Sequence, residues 1–316
     1  MIKKKINISI IGAGYMASEY LNIILDMPQF NIVGIYSRSS EKCIALQNKF
    51  KSLIVFNNIE EMYKLSDTEL VIIACSAEST KSIAEQVTRY PWTILFEKPL
   101  GLNFSEYEEI TKWCFDRNSK AYIALNRRYF SSTINLVSML NEINGPRHIN
   151  IYDQENIEEL VKANRDQRLI TNWMYANSIH LIDYIDILSR GNLVELKILD
   201  KWNSANPDIV SAILKFDTGD IINYKAVWNG PAPWEIKVFT KEKYFNLKPI
   251  EKLSYISKHS RVLNEVEVDE IDIKYKPGLY NLLKEMYKCL NNLPHKIPTV
   301  VENKATMSYI KSIYEL

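Results

Sequence analysis

The sequence predicts an α/β protein of two domains, and three observations support that class. Up to about residue 123, short apolar strands alternate with helical stretches, which favours a doubly wound parallel sheet with helices on both faces. After residue 124, long strands with a hairpin signal favour an α+β domain with a large open, mostly antiparallel sheet. A glycine-rich turn joins the first strand to the first helix. We therefore expect one domain over 1–123 and a second over 124–316.

The first domain is expected to contain short apolar strands and longer helices that mix apolar and charged residues. Pro28 ends the first helix, because proline cannot continue one. The strands are expected at "INISIIG", "FNIVGIYS", "SLIVF", "ELVIIAC", "WTILFE" and "AYIAL". The helices are expected at "ASEYLNIIL", "SEKCIALQNKF", "IEEMYKL", "STKSIAEQVTRY" and "FSEYEEITKWCFDRN".

The second domain begins with helical stretches and continues with strands. Helices are expected over about 131–142 and 173–189. "IVSAILKFDTGDIINYKAVW" predicts a hairpin that turns at 217–220, and "WEIKVFTKEKYFNLKPIE" predicts further strands. "GPAPW" before them is interpreted as a loop. Two final helices are expected, roughly 277–292 and 302–316, and the last can pack on either domain.

Composition excludes several classes of function. Lys and Arg number 39 against 38 Asp and Glu, so charge gives no reason to expect a nucleic acid or an anionic membrane as partner. No apolar run approaches the roughly 20 residues of a membrane span. The start, "MIKKKINISIIG", has a short, alternating apolar stretch and no small-residue cleavage site, so we do not expect a signal peptide. The cysteines are far apart, without disulfide or metal spacing, so we expect a cytoplasmic protein and no metal site.

The glycine turn predicts a dinucleotide site. In "SIIGAGYMASEYL", Gly12, Gly14 and Ala17 form a G-x-G-x-x-A pattern between a strand and a helix. Gly12 permits the tight turn, Gly14 lets a pyrophosphate approach the backbone, and Ala17 allows close packing of helix on strand. The alternative is a glycine turn in an α/β domain that binds no nucleotide.

The end of the second strand bears on the choice of cofactor. A carboxylate there would hold the ribose 2′-hydroxyl of NAD, but the sequence reads Tyr36, Ser37, Arg38. Arginine can pair with a 2′-phosphate and stack on adenine. We therefore predict NADP(H) in preference to NAD(H); the alternative is that Arg38 is only a solvated loop charge.

The segment "FEKPLG" follows the predicted fifth strand. Ligands in open α/β sheets bind outside the carboxyl ends of the strands, where Lys98 could place its ammonium near a substrate oxygen. Pro99 would fix the turn, with a cis bond as one option. On spacing alone, a surface lysine at a strand-ending turn is the better interpretation.

Together, four segments resemble the glucose-fructose oxidoreductase / inositol dehydrogenase / rhizopine-catabolism (Gfo/Idh/MocA) family. They are "IGAGYMA", "EKPLG", "LNRRYF" at 125–130 and "NSIHLID" at 177–183. The resemblance implies a Rossmann domain followed by an α/β domain with a large open sheet. It also implies an NAD(P)-dependent oxidoreductase acting on sugars, polyols or nucleotide-linked sugars, often a homodimer or homotetramer.

The resemblance assigns roles to individual residues. Lys98 is expected beside the nicotinamide and the reacting oxygen, and His180 on the substrate side as proton donor or acceptor. Asn126 is expected near the cofactor and Arg128 near the substrate. The remaining cofactor contacts are expected at Gly12, Gly14, Tyr15, Met16, Ser37, Arg38, Cys75, Ser76 and Glu97.

Two departures from the family pattern affect these assignments. Many members have Thr-Pro-Asn after the fourth strand and a histidine three residues later, where this chain reads "CSAEST" from Cys75. Many members also carry an aspartate four residues before the histidine, where this chain has Ala176. A mechanism that uses a Lys–Asp–His group therefore cannot be transferred intact.

Other residues could replace that aspartate, and helical spacing indicates one of them. Ala176, His180 and Asp183 share one side of a regular helix, so Asp183 could hold the imidazole; it could equally cap a helix or form a salt bridge elsewhere. Asn177, Ser178 or Tyr175 could orient the substrate instead. Trp173 and Tyr175 could line a sugar site or simply pack in the core.

Three functions stay open on the sequence. The first is a dehydrogenase or reductase acting on CH–OH groups, with Lys98 and His180 handling the oxygen and its proton. The second is a catalytically silent, NADP-binding regulator on the same fold. The third is an enzyme that recycles bound NAD(P) during elimination or hydrolysis.

Overall fold

A computed structural model describes residues 5–316 and confirms the predicted fold class. Strands and helices alternate through the first part of the chain. The strands are β1 Ile6–Ile11, β2 Phe30–Tyr36, β3 Ile54–Val55, β4 Leu70–Ile73, β5 Thr93–Glu97 and β6 Lys120–Ala124. The helices are α1 Tyr15–Leu25, α2 Ser40–Lys49, α3 Ile59–Leu65, α4 Ala77–Val87 and α5 Phe104–Asp116.

These strands form a parallel sheet in the order β3-β2-β1-β4-β5-β6. Helical connections on both faces bury the sheet, and Ile8, Ile10 and Ile72 have no exposed surface. The strand order reverses direction at β1, between β2 and β4. This is the switch point at which such sheets bind ligands, beyond the carboxyl ends of the strands.

The second part of the chain starts with a 3₁₀ turn over Asn126–Tyr129. Most of its helices precede or follow the run of strands β8 to β14. The helices are α6 Ser131–Asn141, α7 Ile157–Lys162, α8 Gln167–Thr171, α9 Ile179–Leu188, α10 Glu270–Lys274, α11 Leu279–Leu290 and α12 Lys304–Ile313. The strands are β7 His148–Glu155, β8 Leu193–Asp200, β9 Ile209–Phe216, β10 Ile221–Trp228, β11 Glu235–Phe239, β12 Lys243–Leu247, β13 Leu253–Ser257 and β14 Asn264–Val266.

The second sheet has eight strands in the order β14-β13-β12-β11-β7-β10-β9-β8. β7 pairs with β10 in parallel, and the other pairings are antiparallel. The predicted hairpin joins β9 to β10, where the Phe216 N–H donates to the Asp220 carbonyl at 2.9 Å. Gly219 has φ +84° in this turn, a conformation that favours glycine.

The chain divides into two compact units, and each is built from two segments. The first unit contains the described residues up to Leu125 together with Leu279–Asn303. The second contains Asn126–Gly278 and Lys304–Leu316. The single boundary expected near residue 123 differs from this division, because 279–303 groups with the first unit.

Backbone hydrogen bonds at the edge of the first sheet explain this grouping. The Ile123 N–H donates to the Pro298 carbonyl at 3.1 Å, and the Val300 N–H donates to the Ala121 carbonyl at 3.0 Å. The Tyr107 hydroxyl donates to the Val300 carbonyl at 2.9 Å. The segment after α11 therefore covers β6, which would otherwise be an open sheet edge.

The helix expected over 173–189 is not one regular α-helix. Met174–Ser178 is π-helical, and α9 follows directly from Ile179. A π turn holds one extra residue, so the regular spacing that put Ala176 on the side of His180 does not apply across this segment. Such insertions leave the apolar pattern intact, which is why the sequence did not indicate one.

Candidate active site

The glycine turn after β1 has the strained backbone that a nucleotide-binding loop requires. Gly12 has φ +119°, and its N–H donates to the Tyr36 carbonyl at 2.8 Å. A Cβ on Gly12 would lie 2.2 Å from the Ala74 carbonyl oxygen, so only glycine fits between these strand ends. The turn is fixed by its neighbours on both sides of β1.

The start of α1 is open to an anion. Gly14 is its N-cap residue, and within residues 5–316 no side chain caps the helix. No described heavy atom lies within 4 Å of a Cβ built on Gly14. Tyr15 is 65% exposed and Met16 is half-buried in the first turn. A helix start without a side-chain cap, beside open space, is the feature that holds a pyrophosphate, so this loop fits a dinucleotide.

Arg38 lies beyond the carboxyl end of β2, close to the start of α4. Its Nη2 donates to Ser79 Oγ at 2.7 Å, and the rest of the side chain is exposed. Ser79 Oγ is also 3.1 Å from Ser76 Oγ. Ser37 is half-buried beside Arg38, and its Oγ accepts from the Ser39 N–H at 3.4 Å. The chain thus gathers hydroxyl groups and one guanidinium at the switch point.

The segment that departs from the family pattern follows β4. Cys75 is half-buried, and burial raises the pKa of its thiol above the ordinary value. Its Sγ is 3.9 Å from Thr80 Oγ1. Cys75 is therefore a neutral thiol at neutral pH, and it supplies no charge to this part of the loop region.

Glu97 and Lys98 lie at the carboxyl end of β5, and both are half-buried. Tyr20 of α1 donates from its hydroxyl to Glu97 Oε1 at 2.6 Å, which fixes the carboxylate. Burial and the neighbouring Glu97 raise the pKa of the Tyr20 phenol well above its ordinary value, so the phenol remains a donor. The Lys98–Pro99 peptide bond is cis, which was one of the options for this turn.

In the second unit, polar side chains continue the buried face of β7. Ile149 and Ile151 are fully buried, and Asp153 and Glu155 follow at the same two-residue spacing with 0% and 1% exposure. Alternate residues of a strand point to one face. Two carboxyl groups therefore lie side by side where the pattern of β7 predicts apolar residues.

The Glu155 carboxyl group accepts hydrogen bonds from side chains in and next to the π-helical segment. Its Oε2 accepts from Trp173 Nε1 at 2.7 Å and from Asn177 Nδ2 at 2.8 Å. Its Oε1 accepts from Ser178 Oγ at 2.8 Å. The sequence predicted Trp173 and Asn177 as substrate residues, and the structure attaches both side chains to one buried carboxyl group.

Asp153 extends this cluster to the C-terminus of the chain. Its Oδ2 accepts from the Tyr224 hydroxyl at 2.8 Å. The Tyr314 hydroxyl lies 3.3 Å from that of Tyr224 and 3.4 Å from Ser178 Oγ. Asp153 Oδ1 is buried and has no hydrogen-bond donor among the described residues, which is unusual for a carboxylate oxygen.

The two carboxyl groups interact electrostatically, and their surroundings favour the protonated form of each. Burial raises the pKa of both, and repulsion from Asp153 raises that of Glu155 further. Two adjacent buried carboxyl groups oppose each other's ionisation.

His180 is 5% exposed in the first turn of α9. Its ring centroid lies 6.3 Å from that of Trp234, with 58° between the planes. Trp234 Nε1 donates to the Gln154 carbonyl at 2.9 Å, which fixes the indole against β7. The guanidinium of Arg127 lies 4.8 Å from the Trp234 ring. Trp234 therefore connects the histidine to an arginine that the sequence did not indicate.

Arg128 and Asp183 bind each other. Arg128 Nε donates to Asp183 Oδ2 at 2.7 Å, and its Nη2 donates to Asp183 Oδ1 at 2.6 Å and to Asp186 Oδ2 at 3.0 Å. Thr306 Oγ1 also donates to Asp183 Oδ1 at 2.9 Å. Asp183, one of the groups expected to hold the imidazole, thus anchors Arg128 and α12, and the expected substrate residue Arg128 is ion-paired within the unit.

Asn126 is also engaged locally. It is 8% exposed, and its Nδ2 donates to the Pro277 carbonyl at 3.1 Å. A Cβ on Gly278 would lie 2.1 Å from the Asn126 carbonyl oxygen, so the two backbones are in close contact. The amide therefore fastens the 3₁₀ turn to the segment before α11.

Sequence reasoning missed four side chains of the second unit. Asp153 and Glu155 had a signal, because the alternation of β7 places them on the face of Ile149 and Ile151. Arg127 and Trp234 had none that local spacing could supply, since they meet only through the fold. Within residues 5–316, His, Cys, Asp and Glu side chains form no group of three that could hold a metal ion.

A family comparison agrees with this geometry. Residues 6–124 match the model described as "Oxidoreductase family, NAD-binding Rossmann fold", that of Gfo/Idh/MocA proteins. This match spans less than half of the chain. The suspected resemblance is thereby confirmed, and the first unit is an NAD(P)-binding Rossmann unit.

One curated relative matches part of the chain. The scyllo-inositol 2-dehydrogenase (NADP(+)) IolU of Bacillus subtilis is 28% identical over 105 residues. The aligned stretch covers 33% of this chain and 32% of the Bacillus protein, so it spans about a third of that relative.

Solved structures share the whole fold at low identity. The UDP-N-acetylglucosamine 3-dehydrogenase GnnA of Acidithiobacillus ferrooxidans has a TM-score of 0.77 and 14% identity, covering 100% of this chain and 98% of that one. An aldose-aldose oxidoreductase of Caulobacter crescentus, complexed with glycerol, has a TM-score of 0.81 and 13% identity, covering 99% and 97%. An Agrobacterium radiobacter oxidoreductase, in complex with NAD⁺, L-tartaric acid and magnesium, has a TM-score of 0.80 and 14% identity, covering 99% and 96%.

Proposed function

We propose that the protein is an NADP(H)-dependent oxidoreductase that interconverts a hydroxyl and a ketone on a sugar, polyol or nucleotide-linked sugar. The observation that carries the proposal is Lys98 at the carboxyl end of β5, inside a Rossmann unit of an oxidoreductase family. The similar proteins support a sugar-like substrate, since they include an inositol dehydrogenase and a nucleotide-sugar dehydrogenase.

Different residues are assigned proton transfer, charge stabilisation and orientation of the substrate. When bound, the nicotinamide accepts the hydride that leaves the substrate carbon. His180 takes the proton of the hydroxyl group, because imidazole exchanges protons readily near neutral pH. The Lys98 ammonium stabilises the negative charge that develops on the same oxygen. The Glu155 carboxyl group orients Trp173 and Asn177 for the sugar.

The preference for NADP(H) rests on the end of β2. Tyr36, Ser37 and Arg38 offer no carboxylate to repel a 2′-phosphate, and Arg38 is exposed and able to bind one. Open space at Gly14 and the uncapped start of α1 leave room for the pyrophosphate. NAD(H) is the alternative cofactor.

A cofactor-binding regulator is the second candidate. Ala176 favours it, because the aspartate that many family members have at that position is missing. An assay of purified protein with NADP⁺ and a panel of sugars, polyols and nucleotide sugars separates the two functions. An oxidoreductase produces NADPH with at least one of them, whereas binding of NADPH without turnover on every compound favours the regulator.

The site assignment is tested by substitution. Lys98→Met and His180→Asn are expected to lower turnover by about 10²- to 10⁴-fold, since each removes a group that acts on the reacting oxygen or its proton. NADPH affinity and far-ultraviolet circular dichroism are expected to stay close to wild type for His180→Asn. His148→Asn is the matched control, because His148 is exposed at the start of β7. Full activity of both site variants would contradict the assignment.

Assembly and location complete the proposal. We expect a homodimer or homotetramer, which light scattering coupled to size exclusion will determine. Among residues 5–316, no helix is long and apolar enough to cross a membrane. All four cysteines lie in this part of the chain and are free thiols, which supports a reducing, cytoplasmic location.

A further inference from the structure

Arg127 is a largely buried cation without an acidic partner in contact. Within residues 5–316, its guanidinium takes part in no hydrogen bond or ion pair, and its Nε is buried without a hydrogen-bond partner. The rings of Trp234 and Phe130 lie 4.8 Å and 6.0 Å from its guanidinium carbon. Part of the side chain remains exposed. The charge is thus enclosed by aromatic groups and reaches solvent at one end.

The next residue shows how this fold treats a structural arginine. Arg128 lies in the same 3₁₀ turn, and its guanidinium binds Asp183 through two hydrogen bonds and Asp186 through a third. Partly buried arginines ordinarily have carboxylate partners of this kind. Arg127 lies in the same turn and makes none of these contacts.

The charge on Arg127 is retained at neutral pH. Burial lowers the pKa of its guanidinium to about 10, although nearby acidic groups oppose the change. A pKa of about 10 still leaves the group protonated at pH 7. Glu251, Asp153 and Glu155 act on this charge, but none of them forms an ion pair with Arg127 in the described part of the chain, and burial disfavours ionisation of the last two. The charge therefore has no carboxylate in contact with it, and an anion bound against the guanidinium would supply one.

The surroundings of Arg127 belong to the proposed substrate site. Trp234 contacts the guanidinium, and its ring is the neighbour of the His180 imidazole. An indole plane accepts the apolar face of a sugar ring. A cation, an aromatic plane and a proton-exchanging imidazole thus follow one another in a single region of the second unit.

We propose that Arg127 binds an anionic group of the substrate, so that the substrate is an acidic sugar. The guanidinium fork fits the oxygens of a carboxylate or a phosphate, while His180 acts on a hydroxyl group of the same molecule. The inference rests on the proposed function, which it narrows from sugars in general to sugar acids and sugar phosphates.

Binding and turnover of matched sugars test this inference. With NADP⁺ present, calorimetry is to compare glucuronate and galacturonate with glucose and galactose, and glucose 6-phosphate with glucose. We expect at least one acidic sugar to bind about tenfold or more tightly than its neutral counterpart. The carboxylate and phosphate arms show which anion is preferred.

Variants locate the effect at Arg127. Arg127→Met is expected to remove the preference for the acidic sugar, and Arg127→Lys, which keeps the charge without the fork, to retain part of it. Arg261→Met is the matched control, because Arg261 is an exposed arginine of the same unit. Circular dichroism checks that each variant is folded. If Arg127→Met does not fold, the acid preference of Arg127→Lys is the test.

The outcomes separate this inference from the proposed function. Arg127-dependent binding of an acidic sugar without NADPH production would overturn the oxidoreductase and keep the anion site. Turnover of neutral sugars at equal efficiency would keep the oxidoreductase and overturn the anion site. An acid preference that survives in Arg127→Met and Arg127→Lys would also overturn it.

Discussion

His180 illustrates how the fold determines the environment of a single residue. In the sequence it is a polar residue among apolar ones. In the structure, its ring adjoins Trp234, which is itself fixed to β7 by a hydrogen bond to the Gln154 carbonyl. Asp183, its expected partner at helical spacing, is occupied by Arg128 and Thr306. The environment of the histidine is therefore aromatic on one side and determined by residues far away in the sequence.

Arg38 is the residue that we expect to select between NADPH and NADH. Arg38→Leu is expected to weaken NADPH binding by about ten- to a hundredfold, the range that one charge-assisted interaction with phosphate supplies. NADH binding is expected to stay nearly constant, because NADH has no 2′-phosphate. Titration of the nucleotide fluorescence measures both affinities.

Ser79→Ala is the control for that measurement. It removes the hydroxyl group that Arg38 contacts at 2.7 Å and leaves the guanidinium in place. We expect it to change NADPH affinity far less than Arg38→Leu. Equal losses of NADPH and NADH affinity in Arg38→Leu would show that the residue supports the loop and does not select the cofactor.

Among the structural elements, the turn from β1 to α1 contains two glycines that we expect to differ in how much their substitution by alanine destabilises the fold. Gly12→Ala is expected to lower the free energy of unfolding by at least about 2 kcal/mol, because its Cβ would meet the Ala74 carbonyl at 2.2 Å and its φ is +119°. Gly14→Ala is expected to change stability by less than about 1 kcal/mol, since its φ of −91° suits alanine. Urea denaturation measures both.

Nucleotide binding is expected to separate the same two variants. The methyl group of Gly14→Ala occupies space that a pyrophosphate needs, so NADPH affinity should fall while the fold is kept. A Gly14→Ala protein that binds NADPH like wild type would place the phosphates elsewhere.

The acidic pair of β7 predicts a dependence of stability on pH. The pKa values of Asp153 and Glu155 are higher in the folded than in the unfolded chain, so the folded state binds more protons above the ordinary carboxyl range. The free energy of unfolding therefore falls as pH rises through the window between the unfolded and the folded pKa values. Below the unfolded values, both states are protonated and this contribution is constant.

Glu155→Gln is expected to weaken that dependence. The glutamine oxygen can accept from Trp173 and Asn177, and the pair loses the group whose ionisation Asp153 opposes. The stability of the variant relative to wild type should therefore increase with pH in urea titrations from about pH 5 to 8. Glu159→Gln, at an exposed position of α7, is the control and should run parallel to wild type. A Glu155→Gln profile parallel to wild type would contradict the raised carboxyl pKa values of this pair.

Most local features could be predicted from the sequence, and most long-range ones could not. The glycine turn, the hairpin at 217–220 and the strand alternation depend on neighbouring residues, so spacing and turn chemistry indicate them. The contact of Arg127 with Trp234 depends on how the 3₁₀ turn Asn126–Tyr129 and the "GPAPW" loop come together. The π-helical insertion at 174–178 changes hydrogen bonding without changing which residues are apolar.

In the whole molecule, the chain returns to the first unit at 279–303, and we expect the stability of that unit to depend on this segment. A fragment of residues 1–125 is expected to aggregate or melt without cooperativity, because β6 loses the cover of 297–300 and α1 loses α11. The same fragment joined by a flexible linker to 279–303 is expected to melt cooperatively. Thermal melts followed by circular dichroism compare them, and a stable 1–125 fragment would show that 279–303 is dispensable.

Because each unit consists of two separate segments of the chain, folding during translation and recombination between genes are both affected. A ribosome synthesises residues 279–303 and 304–316 after the other residues of the two units, so the nascent chain can complete neither unit until these segments have emerged. An early stop codon therefore damages both halves together. For the same reason, one crossover between related genes cannot exchange an intact cofactor-binding half, because its parts flank the coding sequence of the other half.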